Sequence, residues 1–237
     1  MDDQKIQLIA IPFGGGNRYS LNPVRKSLPD GVELVVLELP GRGARTDEPL
    51  LQHAGDLAEN MLHQMLPLLR PPYILYGHCM SGLLVFLMAR RMRELDMPLP
   101  KQLLISGCTA PSLVEKNRLE RVDQTIIRQL VLDLGISERL IEDDSFYEMI
   151  EPIMLADIQV TNTYVHRQKP AIPVPVVLLQ QEGFLLSPEE LEQWQEETCY
   201  PVEVRSFGGR FTTPSESFKQ FLQHILHPQA ERKAVNY

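Results

Sequence analysis

Long apolar runs are missing from this sequence. Its hydrophobic stretches break within about ten residues, short of the roughly 20 that a membrane-spanning helix needs, so no membrane partner is expected. The start, MDDQKIQLIAIP, lacks a basic segment, a long apolar segment and a small-residue cleavage site. No export signal is read there, and the expected location is cytoplasmic. Positive charge is also in deficit, with 23 Lys and Arg against 31 Asp and Glu and a formal net charge of −8. No basic patch offsets repulsion by phosphates, which argues against a nucleic-acid partner. Cysteine is scarce: Cys79, Cys108 and Cys199 are odd in number, far apart and without CxxC spacing. A disulfide framework and a zinc site are therefore not expected. Cys108, in LLISGC, reads as a small buried residue. The six histidines form no metal-type cluster, and His224 and His227 read as solvated. Internal repeats and low-complexity segments are absent too.

What is present is an ordinary globular composition, 43% hydrophobic and 23% charged over 237 residues, enough for one domain with an insertion. Short β-rich runs alternate with longer segments of helical period, which predicts an α/β fold with a mostly parallel sheet flanked by helices. Strands are expected over Ile6–Phe13, Val32–Pro40, Tyr73–His78, Gln102–Gly107, Val174–Gln181 and Val202–Phe207. The stretch HAGDLAENMLHQMLPLL sets Ala54, Leu57, Met61, Met65 and Leu68 on one helical face. MSGLLVFLMARRMREL is apolar nearly all round at first and reads as a buried helix. SPEELEQWQEE opens with Ser187 before Pro188, a good helix start. A last helix is expected in SESFKQFLQHIL.

Between Ser112 and Lys169 the pattern turns helical with no convincing strand. Such an insertion is a candidate lid, the alternative being helices that merely cover the sheet edge. The expected division is a core over 1–111, a helical lid over 112–169, more core over 170–228 and a frayed tail over 229–237.

Two small-residue clusters carry the chemistry. PFGGGN, Pro12 to Asn17, follows the first strand, and its backbone N–H groups can turn toward an anion without obstruction. The loop could cradle a phosphate, supply an oxyanion hole or simply make a tight turn. The P-loop lysine and serine are missing, as is the rest of a GxGxxG pattern. The second cluster is YGHCMSG, where a strand turns into a helix with Cys79 at the tip. Gly77 and Ser81 flank it two places away on either side, and Gly82 adds room, as a nucleophile elbow requires. The helix starting at Met80 aims its N-terminus at Cys79, which predicts a lowered thiol pKa. A buried cysteine in a structural turn is the alternative.

The stretches IPFGGGN, LPGRGARTDEPL, YILYGHCMSGLLVFLMAR, LLISGCTAPS, LADIQVTNTY and SPEELEQWQEET, in this order, resemble the type II thioesterases. These are stand-alone α/β-hydrolases that accompany polyketide synthases and nonribosomal peptide synthetases. The resemblance runs from Ile9 to about Leu226. It implies an α/β-hydrolase fold with a helical lid. The implied substrate is an acyl chain on the phosphopantetheine arm of an acyl or peptidyl carrier protein, with no cofactor of the enzyme's own. It also implies an oxyanion hole from Phe13, Gly14 and Met80, and Cys79 in the place of the family's serine nucleophile. The acid position falls in LLQQEGFLLSP, where Glu182 is the one acid and the family's aspartate is absent. The base position is SFGGRFTTP, where Arg210 stands for the family's histidine. His78 is assigned to substrate binding rather than to a substitute base, because the family carries a histidine there beside an intact triad.

Arginine cannot deprotonate a nucleophile or activate water, since its pKa lies above roughly 12. A thiol still attacks, because about a few per cent is thiolate near pH 7. Arg210 is a candidate cation for that thiolate, a partner for Glu182, or a clamp for a substrate carboxylate. Three readings follow. The first is acyl transfer or cyclisation through an acyl-Cys79 intermediate. The second is an inactive pseudo-thioesterase that binds the carrier. The third is an editing thioesterase with a base from elsewhere, for example the lid.

Overall fold

The structure is a computed structural model that describes residues 6–181, 186–207, 209–210, 213–214 and 220. Strand β1, Ile6–Ile11, sends Leu8 and Ala10 to one face of the sheet and Ile9 and Ile11 to the other, and both pairs are buried. That double burial is what parallel strands covered on both faces demand. A 3₁₀ turn (Arg18–Leu21) and α1 (Asn22–Lys26) lead to β2, Val32–Val36. Helix α2, Ala54–Met65, returns the chain to β3, Tyr73–His78, and α3 follows at once over Met80–Glu94. Strand β4 spans Leu103–Ser106. After a 3₁₀ segment, Pro111–Asn117, come α4 (Gln124–Asp133), α5 (Glu138–Ile141) and α6 (Asp144–Asn162). Strand β5 (Val176–Gln181), α7 (Pro188–Glu197) and β6 (Glu203–Phe207) complete the sheet. A two-residue pair, β7 (Gly209–Arg210) with β8 (Thr213–Pro214), is antiparallel.

The six-stranded sheet is parallel throughout, in the order β2-β1-β3-β4-β5-β6. The chain leaves β1 outward to β2 and then crosses back to β3 on the other side. That reversal opens a crevice at the carboxyl ends of β1 and β3, where ligands bind in open α/β sheets. The PFGGGN loop and Cys79 both sit there.

Two cores sandwich the sheet. One gathers Ile9, Leu75, Leu103, Ile105, Val176 and Leu178 with α2 and α3. The other, smaller, gathers Leu8, Ala10, Ile74, Tyr76, Leu104 and Val177. Helix α3 is buried nearly all round, as its sequence predicts, with Leu83, Leu84, Val85 and Phe86 at 1% exposure or less. The helical insertion owns a third core of Ile127, Val131, Ile141, Tyr147, Ile150 and Met154. It is therefore a packed unit and not a long loop.

The expected elements hold with trimmed ends. The strand expected from Val174 starts at Val176, after Pro175, which has no N–H to give a ladder. The strand expected to Pro40 leaves the ladder after Val36. Ser187 caps α7 with a capping box, Glu190 reaching back to the Ser187 N–H. One expectation fails. Ala54, Leu57, Met61 and Met65 are buried together, but Leu68 is 42% exposed. The α-helix ends at Met65, and a 3₁₀ turn around Pro67 changes the angular step, rotating Leu68 off the face. Apart from Gln220, the last expected helix and the tail over 229–237 lie outside the described residues. Among the described residues no helix is long and apolar enough to cross a membrane.

Candidate active site

Cys79 sits between β3 and α3 with φ 55° and ψ −125°, a backbone shape that side chains other than glycine rarely accept. Its cost, of order 1–3 kcal/mol, is carried by neighbours that over-determine the turn. The Cys79 N–H donates to Ser106 O at 2.8 Å, and the Gly82 N–H donates to Cys79 O at 2.9 Å. Ser81 is fully buried, and its hydroxyl donates to Pro12 O, tying the elbow to the glycine loop. Glycine is obligatory at 77, since a Cβ there would lie 2.1 Å from Ser81 O. At 82 a Cβ would lie 2.6 Å from Cys108 Cβ, so the helix start and the loop after β4 touch. Strand, glycine, strained cysteine and helix are thus in the register that YGHCMSG predicts.

Cys79 opens into a cavity of about 530 Å³. Gly14, His78 and Met80 line its sheet side, while Leu130, Met154 and Ile158 of the insertion line the other. The N–H of Met80, first residue of α3, points at the Cys79 sulfur. That contact lowers the thiol pKa, as the sequence predicts. Two effects oppose it. Enclosure by protein is the largest and pushes the thiol up, and the Asp157 carboxylate pushes it the same way. The net shift is upward, so the expected lowering is overturned. Cys79 itself is exposed to the cavity, but the protein packed around the cavity thins the water that would solvate a thiolate, and that outweighs one N–H.

His78 lines the cavity beside Cys79, with the Phe13 ring edge-on at 6.0 Å. Burial pushes its imidazole down to about 4 from 6.5, so it is neutral near pH 7. Phe13 is buried, Gly14 lines the cavity and the Gly16 N–H donates to Phe13 O at 2.9 Å, holding the glycine loop in a tight turn. Gly14 and Met80 therefore line the same cavity as Cys79, and Phe13 packs beside His78. Glu182 lies outside the described residues. Arg210 is described only in its backbone, within β7, and its side chain lies outside them. Among the described residues the cavity wall carries one histidine, His78; the insertion contributes Asp133, Asp157 and Thr161 to it, and no imidazole.

Two cavity residues, Cys108 and Asp157, and the partner of the second were not legible as such. Cys108, expected to be a plain core residue, is half-buried on the cavity wall, and burial followed by the Cys79 charge pushes its thiol up. Asp157, on α6, is 3% exposed and faces Cys79. Its partner is Arg42 of the LPGRG stretch, at 2.6 and 2.7 Å in a bidentate pair, and Asp157 Oδ2 also accepts the Gly15 N–H at 2.6 Å. The available signal was an aspartate among the apolar residues of LADIQV and an arginine between two glycines, read separately.

Comparison with known proteins agrees with this geometry. The chain is 28% identical over 235 residues to a probable cadicidin biosynthesis thioesterase of Streptomyces griseus, covering 97% of this chain and 65% of that protein. It is 26% identical to the gramicidin S biosynthesis protein GrsT of Aneurinibacillus migulanus, covering 86% and 81%. Among solved structures it superposes on RedJ, a thioesterase from the prodiginine biosynthetic pathway in Streptomyces coelicolor. The TM-score is 0.80 at 25% identity, covering 93% of this chain and 89% of that one. The parallel sheet, the elbow and the inserted helices are those of the α/β-hydrolase fold. The Thioesterase domain family matches residues 6–228, and the chain belongs to that family.

Proposed function

We propose that this protein processes acyl chains held as thioesters on the phosphopantetheine arm of an acyl or peptidyl carrier protein, in polyketide or nonribosomal peptide biosynthesis. The observation that carries this reading is a cysteine in a strained elbow, opening into a cavity walled by apolar side chains of the helical insertion. The named relatives and RedJ belong to biosynthetic pathways, those of cadicidin, gramicidin S and prodiginine, which supports this reading. In this reading the insertion over 112–169 is the lid of the acyl pocket, and Leu130, Met154 and Ile158 hold the chain.

The Cys79 sulfur attacks the thioester carbonyl, and the N–H groups of Phe13, Gly14 and Met80 receive the developing oxyanion. The carbon–sulfur bond to the carrier arm breaks, and the Cys79 proton leaves with the carrier thiol. One thioester replaces another, so the exchange needs little driving force. Hydrolysis of the acyl-Cys79 is the weak step, because Arg210 stands where the family's base belongs and His78 is a poor base at about 4. An amine, a thiol or a carbanion within the substrate then takes the acyl group, giving transfer or ring closure. The raised thiol favours a second reading, a carrier-binding protein without turnover.

Intact mass after incubation with acyl-loaded carrier protein separates the readings. The proposal expects an acyl adduct that is lost in Cys79→Ala, with little free acid. Carrier binding with no adduct refutes it in favour of the binding protein, and rapid release of free acid refutes it in favour of an editing hydrolase.

A further inference from the structure

Helix α6 reaches the glycine loop with two side chains. A Cβ on Gly15, which has φ +76°, would lie 2.5 Å from Met154 Sδ, and the Gly14 Cβ site is 3.7 Å from Asp157 Cβ. Between them the Gly15 N–H donates to Asp157 Oδ2, the same oxygen that accepts from Arg42 Nη1. Arg42 Nη2 donates to Oδ1. The two side chains are 4% and 3% exposed, so the pair is shielded from water and salt. Three segments far apart in the chain, the glycine loop, the loop carrying Arg42 and the inserted helix, meet on one carboxylate.

A buried ion pair is weak evidence of a stability role, since an apolar replacement of similar volume often serves as well. This carboxylate does something an apolar side chain cannot. It fixes the peptide unit between Gly14 and Gly15, and so constrains the adjoining Gly14 N–H that the oxyanion-hole reading directs at Cys79. A glycine loop has few side-chain contacts to hold it, and catalytic donors must be held within about 0.5 Å of their working positions.

We propose that Asp157 is a positioning residue: by accepting the Gly15 N–H while clamped by Arg42, it holds the PFGGGN loop in the form that receives the oxyanion, and makes that form depend on the docked position of the inserted helices. The inference rests on the oxyanion-hole reading above. It assigns Asp157 no contact with substrate and no proton transfer.

The test compares Asp157→Asn and the neutral pair Arg42→Gln/Asp157→Asn with the unaltered chain. Three readouts are taken: single-turnover acylation of Cys79 by acyl-loaded carrier, alkylation of Cys79 by iodoacetamide, and hydrogen exchange of the peptide over 12–17. Alkylation needs no oxyanion hole, so it separates positioning from collapse of the site. Expected in both variants are acylation slower by about 100-fold, the effect of losing an oxyanion donor, half-saturating carrier concentration changed by less than about threefold, and alkylation undiminished. Exchange over 12–17 accelerates while α3 stays protected. Acylation and exchange both near the unaltered values would overturn the inference. So would parallel loss of acylation and alkylation, which marks a purely structural role. If the unaltered chain takes no acyl group, the proposed function fails, and exchange alone decides: faster over 12–17 supports the positioning role, and unchanged exchange overturns it.

Discussion

Replacing His78 with asparagine removes one titrating group from the floor of the cavity and makes its burial measurable. Burial pushes the imidazole from 6.5 down to about 4, because charging it there forfeits hydration. A folded-state pKa below the unfolded one means that the unfolded chain takes up the proton first. The stability so contributed is fully present above pH 6.5 and is lost as the pH falls through about 4. The whole gap corresponds to about 3 kcal/mol, and the part lost by pH 5 to about 2 kcal/mol. Urea denaturation at pH 7.5 and pH 5 should therefore show the native chain losing about 2 kcal/mol more than His78→Asn over that interval. Taking the difference between the two proteins cancels the contribution of carboxylates such as Glu94, which Lys169 holds low in both. The imidazole proton resonances give a second reading, with His78 titrating well below the exposed histidines. Parallel stability curves, or a His78 resonance titrating near 6.5, would refute the reasoning.

Three further outcomes are expected. The rate of Cys79 alkylation should still be climbing at pH 9, because enclosure and Asp157 hold the thiol above its ordinary 9.0; a plateau near pH 7 would contradict this. Cys79→Ser should lose acylation by at least about 100-fold, since among the described residues only His78, a poor base at about 4, lies beside the hydroxyl; intact mass after incubation with acyl carrier measures it. Gly77→Ala places a Cβ 2.1 Å from a backbone oxygen and should cost more than about 3 kcal/mol or yield no folded protein, read from thermal unfolding.

The sequence by itself determined the parts that rest on local rules. Short, nearly continuous apolar runs mark strands buried on both faces, and the helical period after Ser112 appears as α4, α5 and α6. The elbow at Cys79 was legible because its constraints lie within six residues: a glycine that must avoid Ser81 O, a small residue at 81 and a helix starting at Met80. The reading of Arg210 at the histidine position rests on one short motif, and its side chain lies outside the described residues. Leu68 was misread because a single proline changes the pitch of the last turn.

What only the tertiary structure decided is what depends on the surroundings of a group rather than its neighbours in the chain. Asp157 and Arg42 are 115 positions apart, and no periodicity relates them; only the docking of α6 on the glycine loop brings them together. Cys108 reaches the cavity because β4 lies beside β3 in the sheet. The sign of the Cys79 shift was settled in the same way. The helix N-terminus that would lower its pKa is written in the sequence, but the enclosure that raises it is made by the fold, and desolvation of the thiolate outweighs a single N–H.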